Sequence, residues 1–397
     1  MNSPEKILGP EWKKATHGKV SVVSMTPDSS YLAAGSEDHD VYLMDHSGRL
    51  LWATTTGDDV AFVKVSDDGR FVGSYSKDNV VSFFNKTGES VWSSRIGRKV
   101  NCMDMSSDGS LIVAGSDDGV IRAFDQRGNI IWTKECHKPV NSVCISGSGA
   151  LVIAGSSNGR AYMFTRDGDL RWEFIVNSPI VYVYTSYDGE FSFVLEHMNN
   201  TIHQVSDRGN ELSNNTYSQN IMDLSITEDG RYIAIGFSNA FIYFTDKNGL
   251  LIWKQSIYGP IQRIKVSPDG SLIFATTIYK EVCVLNKKGE LLLTYKFDNE
   301  AYGLTASYEG DYFAVGASDT VYMFSIARYL QYIAREQVKI LKLMEADAQK
   351  AGSGAPATHK GAPANMNSCR LCGAPILSGK VLCNYCEMMQ RRKMGGQ

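Results

Sequence analysis

Four residues near the C-terminal end of this sequence carry the clearest chemistry. Cys369 and Cys372 form one Cys-x2-Cys hook, and Cys383 and Cys386 form a second after ten intervening residues. Two such hooks place four thiolates at the corners of a tetrahedron, which suits Zn²⁺ at Zn–S distances of about 2.3 Å. The same four sulfurs can hold a single iron. A dithiol redox pair fits less well, because two matched pairs so close together need one common explanation. Four thiolates fill the coordination shell and leave no position for a reactive water, so the expected ion is structural. A segment this short cannot bury a useful core, so metal binding must drive its folding.

Other chemistry is sparse. The remaining cysteines, Cys102, Cys136, Cys144 and Cys283, show no pairing pattern and read as reduced thiols. No G-x-S-x-G elbow, phosphate-binding loop or H-E-x-x-H motif occurs. His17 and His137 each stand three residues before an equivalent apolar position, which predicts a structural loop hydrogen bond rather than a ligand. His197 and His203 flank a one-residue insertion.

The elements that must position these groups come from a repeat. Equivalent apolar residues fall at Val20, Val60, Val100, Val140, Ile180, Ile221, Ile261 and Ala301, with an interval of 40 residues except for 41 after Ile180. Each unit holds short apolar, alternating runs separated by turns rich in Gly, Asp and Asn. In the third unit these runs are VNCMDMS, LIVAGS, VIRAFD and one beginning IIW. Four short strands per 40-residue unit make a propeller blade. The sequence therefore predicts an all-β, closed eight-bladed β-propeller of four-stranded blades over residues 1–326. The tryptophans extend the register: Trp52, Trp92, Trp132, Trp172 and Trp253 are equivalent, with Ser213 and Leu293 in the other two units. Trp12 stands eight residues before Val20, as Trp52 stands before Val60, while the last unit ends after three strands. The segment around Trp12 is thus expected to complete the last blade and remove the open sheet edges.

Segments such as AGSDDGVIRAFD (114–125) and AGSEDHDVYLMD (34–45) resemble the middle strands of WD-repeat blades. The run Asp-x-x-Gly-x-x-x-Trp, from Asp45 to Trp52, Asp125 to Trp132 and Asp246 to Trp253, is similar to the docking motif of quinoprotein-type propellers. That resemblance implies that each tryptophan packs against the next blade. The four-cysteine segment resembles zinc-ribbon and zinc-knuckle modules.

After residue 326 the period changes. Residues 327–350 place Leu330, Ile333, Ile340, Leu341 and Met344 on one stripe, which predicts an amphipathic helix. Residues 351–367 are rich in Gly, Ala and Pro and read as a flexible linker, and residues 368–397 form the zinc-ribbon module with a basic tail. From residue 327 onward 11 Lys/Arg stand against 4 Asp/Glu; the residues before it carry 29 against 39. An acidic body and a basic end suggest surfaces with different partners.

These features predict a cytoplasmic, non-enzymatic protein-interaction scaffold, with no membrane and no small-molecule substrate. Its propeller faces and tethered zinc module would dock onto a larger assembly. A nucleic-acid- or ribosome-associated factor acting through Arg391, Arg392 and Lys393 is the rival reading, and a quinone-type enzyme a distant third. The loops before each first strand bring Lys19, Arg98, Lys99, His137 and Lys138 to one mouth of the channel, interrupted by Asp58 and Asp59 and opposed by Asp298 and Glu300. A scaffold of this kind is expected to have no cluster of perturbed acids and bases in its channel. For the metal, analysis of reductively purified protein is expected to give one zinc per chain, and Cys383→Ser to lose it. A strong chelator should then leave the cooperative melting of the propeller nearly intact.

Overall fold

The computed structural model describes residues 9–331, 367–368 and 375–376. Eight four-stranded antiparallel sheets follow one another along the chain. Blade three is typical, with strands Val100–Met105, Leu111–Ser116, Val120–Asp125 and Ile130–Glu135 paired in sequence order. Its second strand is buried at every residue, whereas the fourth alternates between exposed and covered. Burial on both faces explains the continuous apolar run LIVAGS, and one-sided burial explains the alternation in the outer strand.

Closure is made as the sequence predicts. Trp12–Ala15 pairs antiparallel with Thr320–Ser325, Trp12 opposite Met323 and Ala15 opposite Thr320, so blade eight takes its outermost strand from the start of the chain. The one-residue insertion lies in the turn of blade five between Phe191–Glu196 and Thr201–Ser206. Residues 326–331 are helical, and the rest of the predicted helix, the linker as far as residue 366 and all four metal-site cysteines lie outside the described residues. A short ladder pairs Asn367–Ser368 with Pro375–Ile376, on either side of the first cysteine hook.

The apolar core is divided into wedges between neighbouring blades. Val113, Ala123 and Trp132 of blade three pack with Val143, Val152 and Phe164 of blade four. The wedge between blades one and eight contains Val23, Met25 and Met44 with Val321 and Met323. Tryptophan docking seals six of the eight wedges. The Trp52 ring lies on Gly88 of the next blade, where a Cβ would stand 2.6 Å from Cγ of the indole, and its Nε1–H donates to the Lys86 carbonyl at 3.0 Å. Gly88 also has φ of +83°, so a side chain there is excluded by both contact and backbone. Trp12 repeats the arrangement on Gly48, donating to the His46 carbonyl at 2.8 Å. In blade five, Asn215 takes over and donates to the Asn248 carbonyl at 3.1 Å. Leu293 needs no such partner: the blade it faces borrows its fourth strand from residues 12–15, so no third-to-fourth-strand turn is present to receive an indole.

The Asp-Gly turns are fixed by one recurring bond set. In blade three Ser106 Oγ donates to Asp108 at 2.6 Å, the Ser110 N–H donates to the same carboxylate at 3.0 Å, and the Leu111 N–H donates to Ser106 Oγ at 3.0 Å. Thr26 with Asp28, Ser66 with Asp68, Ser186 with Asp188, Thr227 with Asp229 and Ser267 with Asp269 repeat it. Burial opposes ionisation of Asp108, but bonds from Ser106 and Ser110 and the nearby Arg166 outweigh it and pull its pKa down to about 2.

Two expectations follow. Removing residues 1–18 exposes the edge of blade eight and strips an indole from Gly48, so the thermal midpoint should fall sharply; an unchanged midpoint would contradict the shared blade. Asp108 has a folded pKa below its unfolded value, so its contribution is present above the unfolded value and lost as pH falls toward 2. Acid titration of Asp108→Asn should show lower stability at neutral pH and a shallower loss between about pH 5 and pH 2 than the parent protein.

Candidate functional site

The channel is built from the first strand of every blade. Counting along that strand, several side chains at the third and fifth positions tie one blade to the next. Ser24 Oγ accepts the Val65 N–H at 3.2 Å, Asp104 accepts the Ile145 N–H at 2.7 Å, and Ser142 accepts the Val183 N–H at 3.1 Å. Asp223 accepts the Ile264 N–H at 2.9 Å, and Ser225 the Val266 N–H at 3.1 Å. These are structural roles: each satisfies a backbone donor that the innermost strand leaves unpaired.

Titratable groups gather there as well. Lys64 donates to Asp104 at 2.6 Å across the boundary between blades two and three. Burial would depress the Lys64 ammonium, but the Asp104 charge outweighs this and holds its pKa above the usual value. Burial raises Asp223, against the pull of Arg263 and the backbone donors. Cys144 is pushed up to about 12 by burial, with Asp104 adding to it, and Tyr182 and Tyr184 are raised chiefly by burial. Lys265 is lowered, first by burial and then by the facing Lys64 ammonium. The expectation of a channel without perturbed acids and bases is therefore wrong. Period and spacing located the strands, but they did not show which side chains meet across eight blades. Position five of each unit held the missed signal, reading Ser, Lys, Asp, Cys, Tyr, Ser, Lys, Thr around the ring. The scattered cysteines divide: Cys144 neighbours the channel charges Asp104 and Lys64, Cys102 packs against the wedge between blades three and four, and Cys136 and Cys283 are buried in wedges; all four are free thiols.

The turns after the first strands form one rim. Backbone bonds link them from blade to blade, from the Asp67 N–H to the Ser107 carbonyl, Tyr187 to Glu228, Glu228 to Pro268 and Tyr308 to Pro27. Burial raises both Asp67 and Glu228, and their charges oppose each other. Beside them a groove of about 630 Å³ crosses blades five to eight, lined by the acids Asp188, Glu190, Glu228, Asp229 and Asp269 and by Tyr187, Phe191 and Tyr308. Arg231 and Lys247 also line it, and the Lys247 ammonium sits 3.7 Å from the Phe191 ring centre.

The histidines resolve differently from one another. The backbone N–H of His17 donates to Asp38 at 2.8 Å, so the loop bond is made by the main chain rather than the ring, and His137 occupies the left-handed region with φ of 60°. His197 lies in the inserted turn. His203 is held between two carboxylates, Glu196 at 3.2 Å and Glu211 at 2.7 Å. Among the described residues His39, Asp58 and Asp59 bring three ligand atoms within 4.8 Å of one another. Lys77 already lies 2.8 Å from Asp59 and supplies a counter-charge. No described helix is long and apolar enough to cross a membrane.

Comparison with known proteins supports the fold. Residues 37–182 match the family described as outer membrane protein assembly factor BamB, and residues 11–45 match the WD domain, G-beta repeat. No curated protein matches the sequence. Sqt1 of Saccharomyces cerevisiae superposes with a TM-score of 0.68 at 13% identity, over 79% of this chain and 97% of that one. Sqt1 of Chaetomium thermophilum, bound to the N-terminus of the ribosomal protein L10, gives 0.66 at 16% identity over 78% and 97%. The C-terminal WD40 domain of Sif2 gives 0.70 at 15% identity over 80% and 98%. At these identities the likeness shows architecture: the chain carries a WD repeat within an eight-bladed β-propeller.

Proposed function

We propose that this chain is a non-enzymatic protein-interaction scaffold of the cytoplasm, whose propeller holds a protein partner while the four-cysteine module, carrying zinc, docks onto a larger assembly. The observation that carries this reading is the acidic and aromatic groove over blades five to eight. It has the mixed character of a peptide-recognition surface, with carboxylates for basic side chains and tyrosine or phenylalanine faces for apolar contact. A similar propeller, Chaetomium thermophilum Sqt1, is seen bound to the N-terminus of a ribosomal protein, which supports a protein segment as the kind of ligand such a ring accepts.

The chemistry of the channel fits a scaffold better than an enzyme. Asp104 and Asp223 are engaged by backbone donors from the next blade, and Lys64 by Asp104. Carboxylates spent on closing the ring are poorly placed to transfer protons. The four cysteines Cys369, Cys372, Cys383 and Cys386 would hold the metal and fix the shape of a second docking element, with Arg391, Arg392 and Lys393 alongside.

Affinity capture with the full chain tests the proposal. The parent protein should retain a defined partner identified by mass spectrometry. The double variant Glu190→Lys/Glu228→Gln should lose it, with a thermal midpoint close to that of the parent. Equal recovery of the same partner by parent and variant would place the binding surface elsewhere.

A further inference from the structure

Blade five carries Ser213 where five other blades carry an indole, and its outer strand, Glu211–Thr216, is held by a different means. His203, on the third strand, stands between Glu196 at the end of the second strand and Glu211 at the start of the fourth. Its Nε2 lies 3.2 Å from Glu196 Oε2, and its Nδ1 lies 2.7 Å from Glu211 Oε1. The imidazole side chain is 12% exposed and that of Glu196 only 4%. Asn199 Nδ2 donates to Glu196 Oε1 at 2.9 Å, and Asn214 Nδ2 donates to Glu211 Oε1 at 2.9 Å. The ring thus joins three strands and, through Asn199, the inserted turn.

A neutral imidazole has one N–H and can donate to one carboxylate only. Its other nitrogen would then turn a lone pair on an oxygen that also offers only lone pairs. Both contacts are satisfied when two protons are shared among the three groups. They can sit on the two ring nitrogens, or one on the ring and one on Glu196. Either way the cluster holds one proton more than a neutral ring between two carboxylates. We propose that His203 is a pH-sensitive latch on blade five, closed by this extra proton and released when the proton passes to solvent.

The surroundings leave the two carboxylates alone to answer the ring. Among the described residues no other charged group lies within ion-pair distance of it. Blade four meets it with Phe174, whose ring centre is 5.6 Å away. On that strand Arg171 and Glu173 are exposed and alternate to the other face, and Glu173 pairs with Arg160. His197, Asp207 and Arg208 are exposed in the turns on either side of the third strand. The hydrogen bond from His203 is the first cause that holds the Glu211 carboxyl below its usual range. The Glu211 contribution is therefore lost as pH falls through the acid range, and the latch as a whole is lost as pH rises and the ring gives up its charge. The element it biases is the outer strand with the turn at 197–200.

Hydrogen exchange of the intact chain, corrected for the intrinsic rate at each pH, tests the latch. Ile130–Glu135, the equivalent outer strand of blade three, is the internal reference. Between about pH 6 and about pH 8.5 the protection of Glu211–Thr216 relative to that strand should fall about tenfold. The same fall is expected in His197→Gln, whose ring lies outside the cluster. In His203→Gln, which cannot change charge, the relative protection should not depend on pH, and Glu211→Gln should show a shallower fall than the parent. Constant relative protection in the parent would overturn the latch, and that result needs no variant to be read. An undiminished fall in His203→Gln, or a fall abolished by His197→Gln, would overturn it equally.

Discussion

A sheet with an open edge must either be covered or attract another strand, and a ring of sheets has to solve this at the point where its two ends meet. Here the solution is the pairing of Trp12–Ala15 with Thr320–Ser325. Four residues carry it, yet the wedges between blades depend on it, because each wedge is stable only while both of its walls are held in place. The Trp12 indole on Gly48 links that borrowed strand to blade one, so first and last blades are locked by hydrogen bonds and by packing together. The absence of a tryptophan at Leu293 follows from the same device, since the blade that borrows a strand has no turn to receive one.

Closure also governs the polar groups. The innermost strands are crowded around an axis, and their backbone donors cannot all be met within a blade. Ser24, Asp104, Ser142, Asp223 and Ser225 meet the donors of the following blade instead. Buried carboxylates in a channel would ordinarily suggest catalysis. In this ring they are connectors, and the groups left for recognition are those that neither closure nor the turns use, such as Glu190 in the groove over blades five to eight.

Much of this was legible in the sequence. The 40-residue interval gave the blades, the Trp12 offset gave the shared strand, and the Asp-x-x-Gly-x-x-x-Trp run implied indole packing that the structure shows on Gly48, Gly88 and their equivalents. What period alone could not supply was the meeting of distant side chains. Lys64 and Lys265 are 201 positions apart in the chain, and only the curvature of the ring makes them neighbours. The His203 site with Glu196 and Glu211 was hidden for a related reason: its partners come from adjacent strands whose register depends on a turn with one extra residue.

The closed ring is the claim on which the remainder rests, and hydrogen exchange of the intact chain tests it most directly. If Trp12–Ala15 truly completes blade eight, the amides of 321–324 should exchange only with the same cooperative opening that exposes Leu111–Ser116 in the middle of blade three. Fast exchange at 321–324, with Leu111–Ser116 still protected, would show an open edge in solution and contradict the account.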